Sequence, residues 1–142
     1  MSMCFGSIVH KLDSARNKTD SIIQGFDVSL MSNSKWVKLL AALSELDLDN
    51  VNATVKLVWD TDIRSFRLNN DLEFNFDYYA SSMESLISGY PKGFYDYKEV
   101  EWLRLKAPSL VIEQLILTIN NVGKFCVNQS NECIQILAYK NT

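Results

Sequence analysis

Seventeen carboxylates, three cysteines and one histidine set the chemistry open to this 142-residue chain. A Ser-His-Asp or Cys-His unit would have to use His10, and no glycine-rich nucleophile turn surrounds any serine. His10 falls in an expected N-terminal helix, where a surface histidine is the plainer reading. A zinc site needs three or four Cys or His ligands, and Cys4, His10, Cys126 and Cys133 are scattered with no C-x-x-C. There is no phosphate loop and no dinucleotide fingerprint. The sequence thus points away from an enzyme, and it calls for no metal and no cofactor.

The carboxylates are more informative. Asp60 and Asp62 flank an expected turn, and Asp71, Glu73 and Asp77 follow within fifteen residues of it. Paired carboxylates can do acid–base work or hold Mg²⁺. Alternating outward along a strand, they form a solvated sheet face or a protein-binding surface instead. Residues 41–90 hold nine acids and three bases, a local charge of −6, whereas the whole chain is −3. A concentrated negative face speeds association with a basic partner. Tyr79 and Tyr95 lie close by in sequence, and tyrosines supply contact area with a hydrogen-bonding tip. Asp60, Asp62, Asp71, Glu73, Asp77, Tyr79 and Tyr95 are therefore the candidate binding residues.

The elements that must position them can be read from periodicity. Residues 1–31 carry helical spacing at Phe5, Ile8, Val9 and Leu12 and again at Ile22, Ile23 and Phe26, an N-terminal helical extension. Asn33 or Ser34 can cap a helix from Lys35 to near Leu46, whose Trp36, Leu39, Leu40 and Leu43 make one apolar face. Residues 51–59 alternate as a strand; Ile63, Phe66 and Leu68 suggest a second; 72–78 alternate again with an acidic outer face. Residues 81–93 read as a loop or a short helix. A strand runs from Tyr95 to Leu105, with Trp102 expected in the core and Glu101 pairing across the sheet. A helix starts at Pro108 and ends near Asn121 before Gly123, apolar on more than one side and so expected to be well buried. Phe125–Val127 and Cys133–Tyr139 form a hairpin that can bring Cys126 and Cys133 opposite each other.

The expected fold is α+β: a single domain of antiparallel sheet with helices packed on one face. Residues 1–31 are the helical extension and 32–142 the α+β domain. No apolar run reaches the roughly 18–20 residues of a membrane span, so no membrane is expected as partner. The sequence pI of about 5.1 argues against direct nucleic-acid binding. The first residues lack a secretory pattern, and an odd cysteine count fits reduced thiols, so a cytoplasmic location is expected.

Three segments line up in order: Ser34-Lys35-Trp36 opening a helix, Tyr97-Lys98-Glu99-Val100-Glu101-Trp102-Leu103-Arg104-Leu105 as a strand, and Ile134-Gln135-Ile136-Leu137-Ala138-Tyr139 near the C-terminus. Over residues 33–140 this resembles a family of small bacterial proteins with a Lys-Trp helix start, an Ile-Glu-Trp-Ile strand and a closing Ile-x-Ile-x-Gly-Tyr strand. Ala138 stands where that family has glycine. The resemblance implies an immunity protein of contact-dependent or polymorphic toxin systems. Such a protein binds its cognate toxin domain, commonly a basic nuclease, and covers its active site or substrate cleft. A small-ligand-binding regulatory domain, with a pocket between the sheet and the helix after Pro108, is the alternative reading.

Overall fold

The computed structural model describes residues 11–68, 82–84, 86–89 and 94–141. Helix α1 is described over 11–16, and α2 spans Thr19–Gln24. Strand β1 (Val28–Ser29) precedes α3 (Asn33–Ser44). Strands β2 (Asn52–Leu57), β3 (Ile63–Ser65), β4 (Ser82–Glu84) and β5 (Phe94–Asp96) follow. A 3-10 turn over Tyr97–Glu99 leads into β6 (Val100–Lys106). Helix α4 (Ser109–Val122) and strands β7 (Val127–Ser130), β8 (Cys133–Leu137) and β9 (Tyr139–Lys140) complete the chain. The fold is α+β, with an N-terminal helical part.

The main sheet has five strands in the order β3-β2-β6-β8-β7, every pair antiparallel. Its period-two alternation sends Ala53, Val55, Leu57, Leu103, Leu105, Ile134 and Ile136 to one face. Helix α3 covers that face with Trp36, Leu39, Leu40 and Leu43, and α4 with Ile112, Leu115 and Ile119. Both helices lie on this side because their apolar stripes have nowhere else to be buried.

Several details differ from the expectations. Ser32, not Asn33 or Ser34, caps α3: its Oγ accepts the Lys35 amide at 3.2 Å. The long strand from Tyr95 is broken in two, because Tyr97–Glu99 turn and the chain restarts at Val100. Met83, expected in a loop or short helix, lies in strand β4 opposite Tyr95. Helix α4 is less buried than its composition suggests, since Leu110 is 79% and Leu117 65% exposed. A helix one layer from the core buries one side only, however apolar the other. Cys133 pairs with Ser130, whereas the Cys126 carbonyl meets the Leu137 amide, so the two cysteines are offset along the hairpin and not opposite. The expected strand at 72–78 lies outside the described residues.

The N-terminal part is tied to the C-terminus. Val28 pairs with Lys140 and Ser29 with Tyr139, and Phe26 stacks on Tyr139 at 5.3 Å. Ala138, 1% exposed, donates its amide to the Glu101 carbonyl at 2.9 Å and accepts the Leu30 amide at 2.8 Å. A methyl group is therefore tolerated at this close crossing of three segments.

The burial contrast gives a direct check. Leu39→Ala, at a fully buried position, should cost about 2–5 kcal/mol in urea unfolding. Leu110→Ala should stay within about 0.5 kcal/mol of the parent. A small loss at Leu39 would mean that α3 does not seal the core.

Candidate functional site

The titratable groups that the fold gathers most tightly surround Glu99, which is 2% exposed. Its carboxylate accepts Arg16 Nε at 2.6 Å, Arg16 Nη2 at 3.0 Å, Trp59 Nε1 at 3.0 Å and the Asp96 amide at 2.7 Å. The last contact is half of a capping box around the 3-10 turn, a D-x-x-E spacing visible in the sequence. The others come from residues 83 and 40 positions away. Four donors satisfy a carboxylate that would otherwise be costly to bury.

A second ion pair adjoins it. Arg64 Nε donates to Asp60 Oδ2 at 2.8 Å, and Nη1 donates to the Tyr95 hydroxyl at 2.9 Å and the Ser88 carbonyl at 3.1 Å. The Arg64 guanidinium lies 5.1 Å from the Trp59 ring centre, and that of Arg16 4.6 Å from the Tyr95 ring centre. Gly89, at φ +88°, passes over Arg64; a Cβ there would stand 3.1 Å from Nη1. Glycine thus allows both the left-handed backbone and the close approach. Burial works against the Arg16 charge, but the hydrogen bond and charge of Glu99 outweigh it and raise the guanidinium pKa. Burial raises the Tyr95 hydroxyl above its ordinary value of 10.0, although both arginines pull the other way. Burial, then Asp20, raises Tyr139, whose hydroxyl donates to the Lys98 carbonyl at 2.9 Å.

This placement changes the role of two candidate residues. Tyr95 was expected to give contact area to a partner; it is 1% exposed and supplies none, because its ring lies beside two arginines in the interior. Asp60 was expected to present charge; its side chain is 9% exposed and neutralised by Arg64. Asp62, two residues on, is exposed as expected, with its amide donating to Asp60 Oδ1. Asp71, Glu73, Asp77 and Tyr79 lie outside the described residues. Glu101 pairs across the sheet with Lys56 at 2.9 Å, at a register shift that leaves it without a cross-strand residue in β2. Trp102 is buried, but on the other sheet face from the helices, with the Arg104 guanidinium 4.2 Å from its ring centre. It lies outside the main core cluster, because strand alternation sends 102 and 104 to the face opposite 103 and 105, while the register shift at Glu101 puts Val100 and Trp102 on different faces.

The acidic stretch is thereby redistributed. Of its bases, Lys56 is tied to Glu101 and Arg64 to Asp60. Glu45, Asp47, Asp49 and Asp62 remain exposed. The space between the sheet and α4, where a ligand pocket was expected, is filled by Ile112, Leu115 and Ile119 against Leu103, Leu105, Ile134 and Ile136, all at most 1% exposed. Among the described residues, no helix is long and apolar enough to cross a membrane. No family model, curated protein or solved structure matches the chain.

Two outcomes test this interior. Glu99→Gln removes the charge that holds Arg16 and should cost about 3 kcal/mol, near the low end for a broken buried pair because Arg16 keeps some contact with water. A loss under about 1 kcal/mol would show that the cluster is not integral to the fold. Tyr95 and Tyr139 titrate higher when folded, so the unfolded chain releases those protons first. Their contribution is complete below pH 10 and is lost as pH rises through the folded values. Urea unfolding from pH 9 to 11.5 should show falling stability, with a shallower fall in Tyr139→Phe.

Proposed function

We propose that this chain is a non-enzymatic immunity protein that binds a basic cognate toxin domain, of nuclease type, in the cytoplasm and covers its active site or substrate cleft. The reading rests on the motif resemblance and on one structural observation. Of the three bases in the −6 stretch, Lys56 and Arg64 are held in ion pairs on the sheet and in the interior, while Arg67 and the four acids Glu45, Asp47, Asp49 and Asp62 face solvent. The acidic surplus is therefore presented outward without those cations to screen it. A nuclease cleft built for phosphate is its physical complement.

The interior ion cluster serves the fold. Glu99 meets four donors, and Asp60 serves Arg64 and the Asp62 amide. These groups hold segments together; catalysis would need them to exchange protons with a substrate.

The test is recovery of a basic toxin domain from the native strain with this protein as bait, followed by inhibition assays on it, with affinity measured at low and high salt. The parent should inhibit at a one-to-one ratio, and tighter at low salt. Asp71→Lys/Glu73→Lys and, separately, Asp47→Lys/Asp49→Lys should each weaken binding about tenfold or more and flatten its salt dependence, as expected when interfacial charges are reversed. Unchanged affinity in both double variants would remove the acidic-face version of the proposal. Full toxin activity in the presence of excess protein would remove the immunity reading itself.

A further inference from the structure

The sheet face turned away from the helices carries the opposite charge at one end. On β6, Arg104 and Lys106 both point to this face. Across the sheet, Arg104 stands opposite Gln135, and Gln135 opposite Asn128. One step along, Lys106 stands opposite Cys133, and Cys133 opposite Ser130. These two rows of three line a hollow of about 420 Å³ over β8. No carboxylate lines it among the described residues.

The hollow is rich in donors. Arg104 brings a guanidinium 4.2 Å from the Trp102 ring centre, a cation–π contact that leaves its N–H donors able to meet an anion. Lys106 is exposed, and neither cation forms an ion pair among the described residues. Two carboxylates lie nearby: Glu101 is taken by Lys56, and Glu132, at the turn beside Lys106, makes no ion pair with it. Asn128 Nδ2 donates to Gln135 Oε1 at 3.4 Å, so the hydrogen bond between the two side chains uses the oxygen of Gln135 and none of its amide N–H groups. A guanidinium, an ammonium, amide N–H groups and a hydroxyl thus converge on one concavity.

We propose that this hollow is a docking surface for an acidic polypeptide segment of a partner protein, whose side-chain carboxylates are held by Arg104 and Lys106 and oriented by Gln135, Asn128 and Ser130. Charge complementarity selects the occupant. Two cations on neighbouring rows, about 7 Å apart along a strand, match successive outward carboxylates of an extended chain. The Arg104 fork accepts a carboxylate bidentately, which a simple point charge would not do. The residues of this surface are not those of the toxin-binding proposal, and the inference does not depend on that proposal.

The test titrates the full chain, isotopically labelled, with a hexaglutamate peptide, with inorganic phosphate and with a single-stranded oligonucleotide. NMR follows the side-chain amides of Asn128 and Gln135. Hexaglutamate should shift both, and Arg104→Gln/Lys106→Gln should weaken its binding at least tenfold. Lys98→Gln, at a cation that pairs with Asp20 at 2.9 Å elsewhere, should bind as the parent does. If the double variant is poorly folded because Trp102 loses its cover, Lys106→Glu alone, at an exposed position, should still weaken binding severalfold. Unmoved amides, or equal affinity in the Lys106→Glu variant, would overturn the proposal. Phosphate or oligonucleotide binding as tightly as the peptide would also overturn it, in favour of a phosphate surface.

Discussion

A single buried carboxylate holds the architecture around β6 in place. Glu99 ends the 3-10 turn, and its two oxygens reach Arg16 from the N-terminal helices, Trp59 from the turn after β2 and the Asp96 amide from its own turn. Burying an anion is unfavourable unless every such donor is delivered together. The position of α1 and α2 against the domain is therefore coupled to the conformation of the Asp96–Glu99 turn. Arg64 and Asp60 extend the same balance, so two cations and two anions share one region with the Trp59 and Tyr95 rings between them. Such a cluster adds specificity of arrangement more than net stability, because desolvation consumes much of the attraction.

The two faces of the main sheet divide the work. The helix-covered face is a packed apolar layer from Ala53 to Ile136. The opposite face is polar, with Lys56 and Glu101 paired near one end and, at the other, Arg104 and Lys106 without an ion-pair partner among the described residues. The acidic side chains Glu45, Asp47 and Asp49 lie between α3 and β2, and Asp62 directly precedes β3. On the proposed readings, patches of opposite sign on one small protein would orient a partner as well as attract it. Complementary charges fix register and reject mismatched partners more than they add affinity.

Much of the fold was legible because periodicity is a local property. Trp36, Leu39, Leu40 and Leu43 announce α3, the alternation of residues 52–57 announces β2, and the Asp96–Glu99 spacing matches a capping box. The α+β class follows from those segments. The binding residues were less legible, because charge type and local turn propensity say nothing about which cation a carboxylate will meet. Asp60 and Asp62 look equivalent in the sequence, yet one is closed off by Arg64 and the other is exposed.

The sequence alone determined the element types, the antiparallel α+β class and the uneven charge, since these depend on neighbours within a few residues. Only the tertiary structure decided that Tyr95 is interior, that Trp102 sits beneath Arg104 on the far sheet face, and that Glu99 anchors the N-terminal helices. Each of those outcomes depends on strand register or on contacts between residues tens of positions apart. A shift of one residue at Lys56–Leu57 is enough to turn a side chain from one face of a sheet to the other, and no local pattern records it.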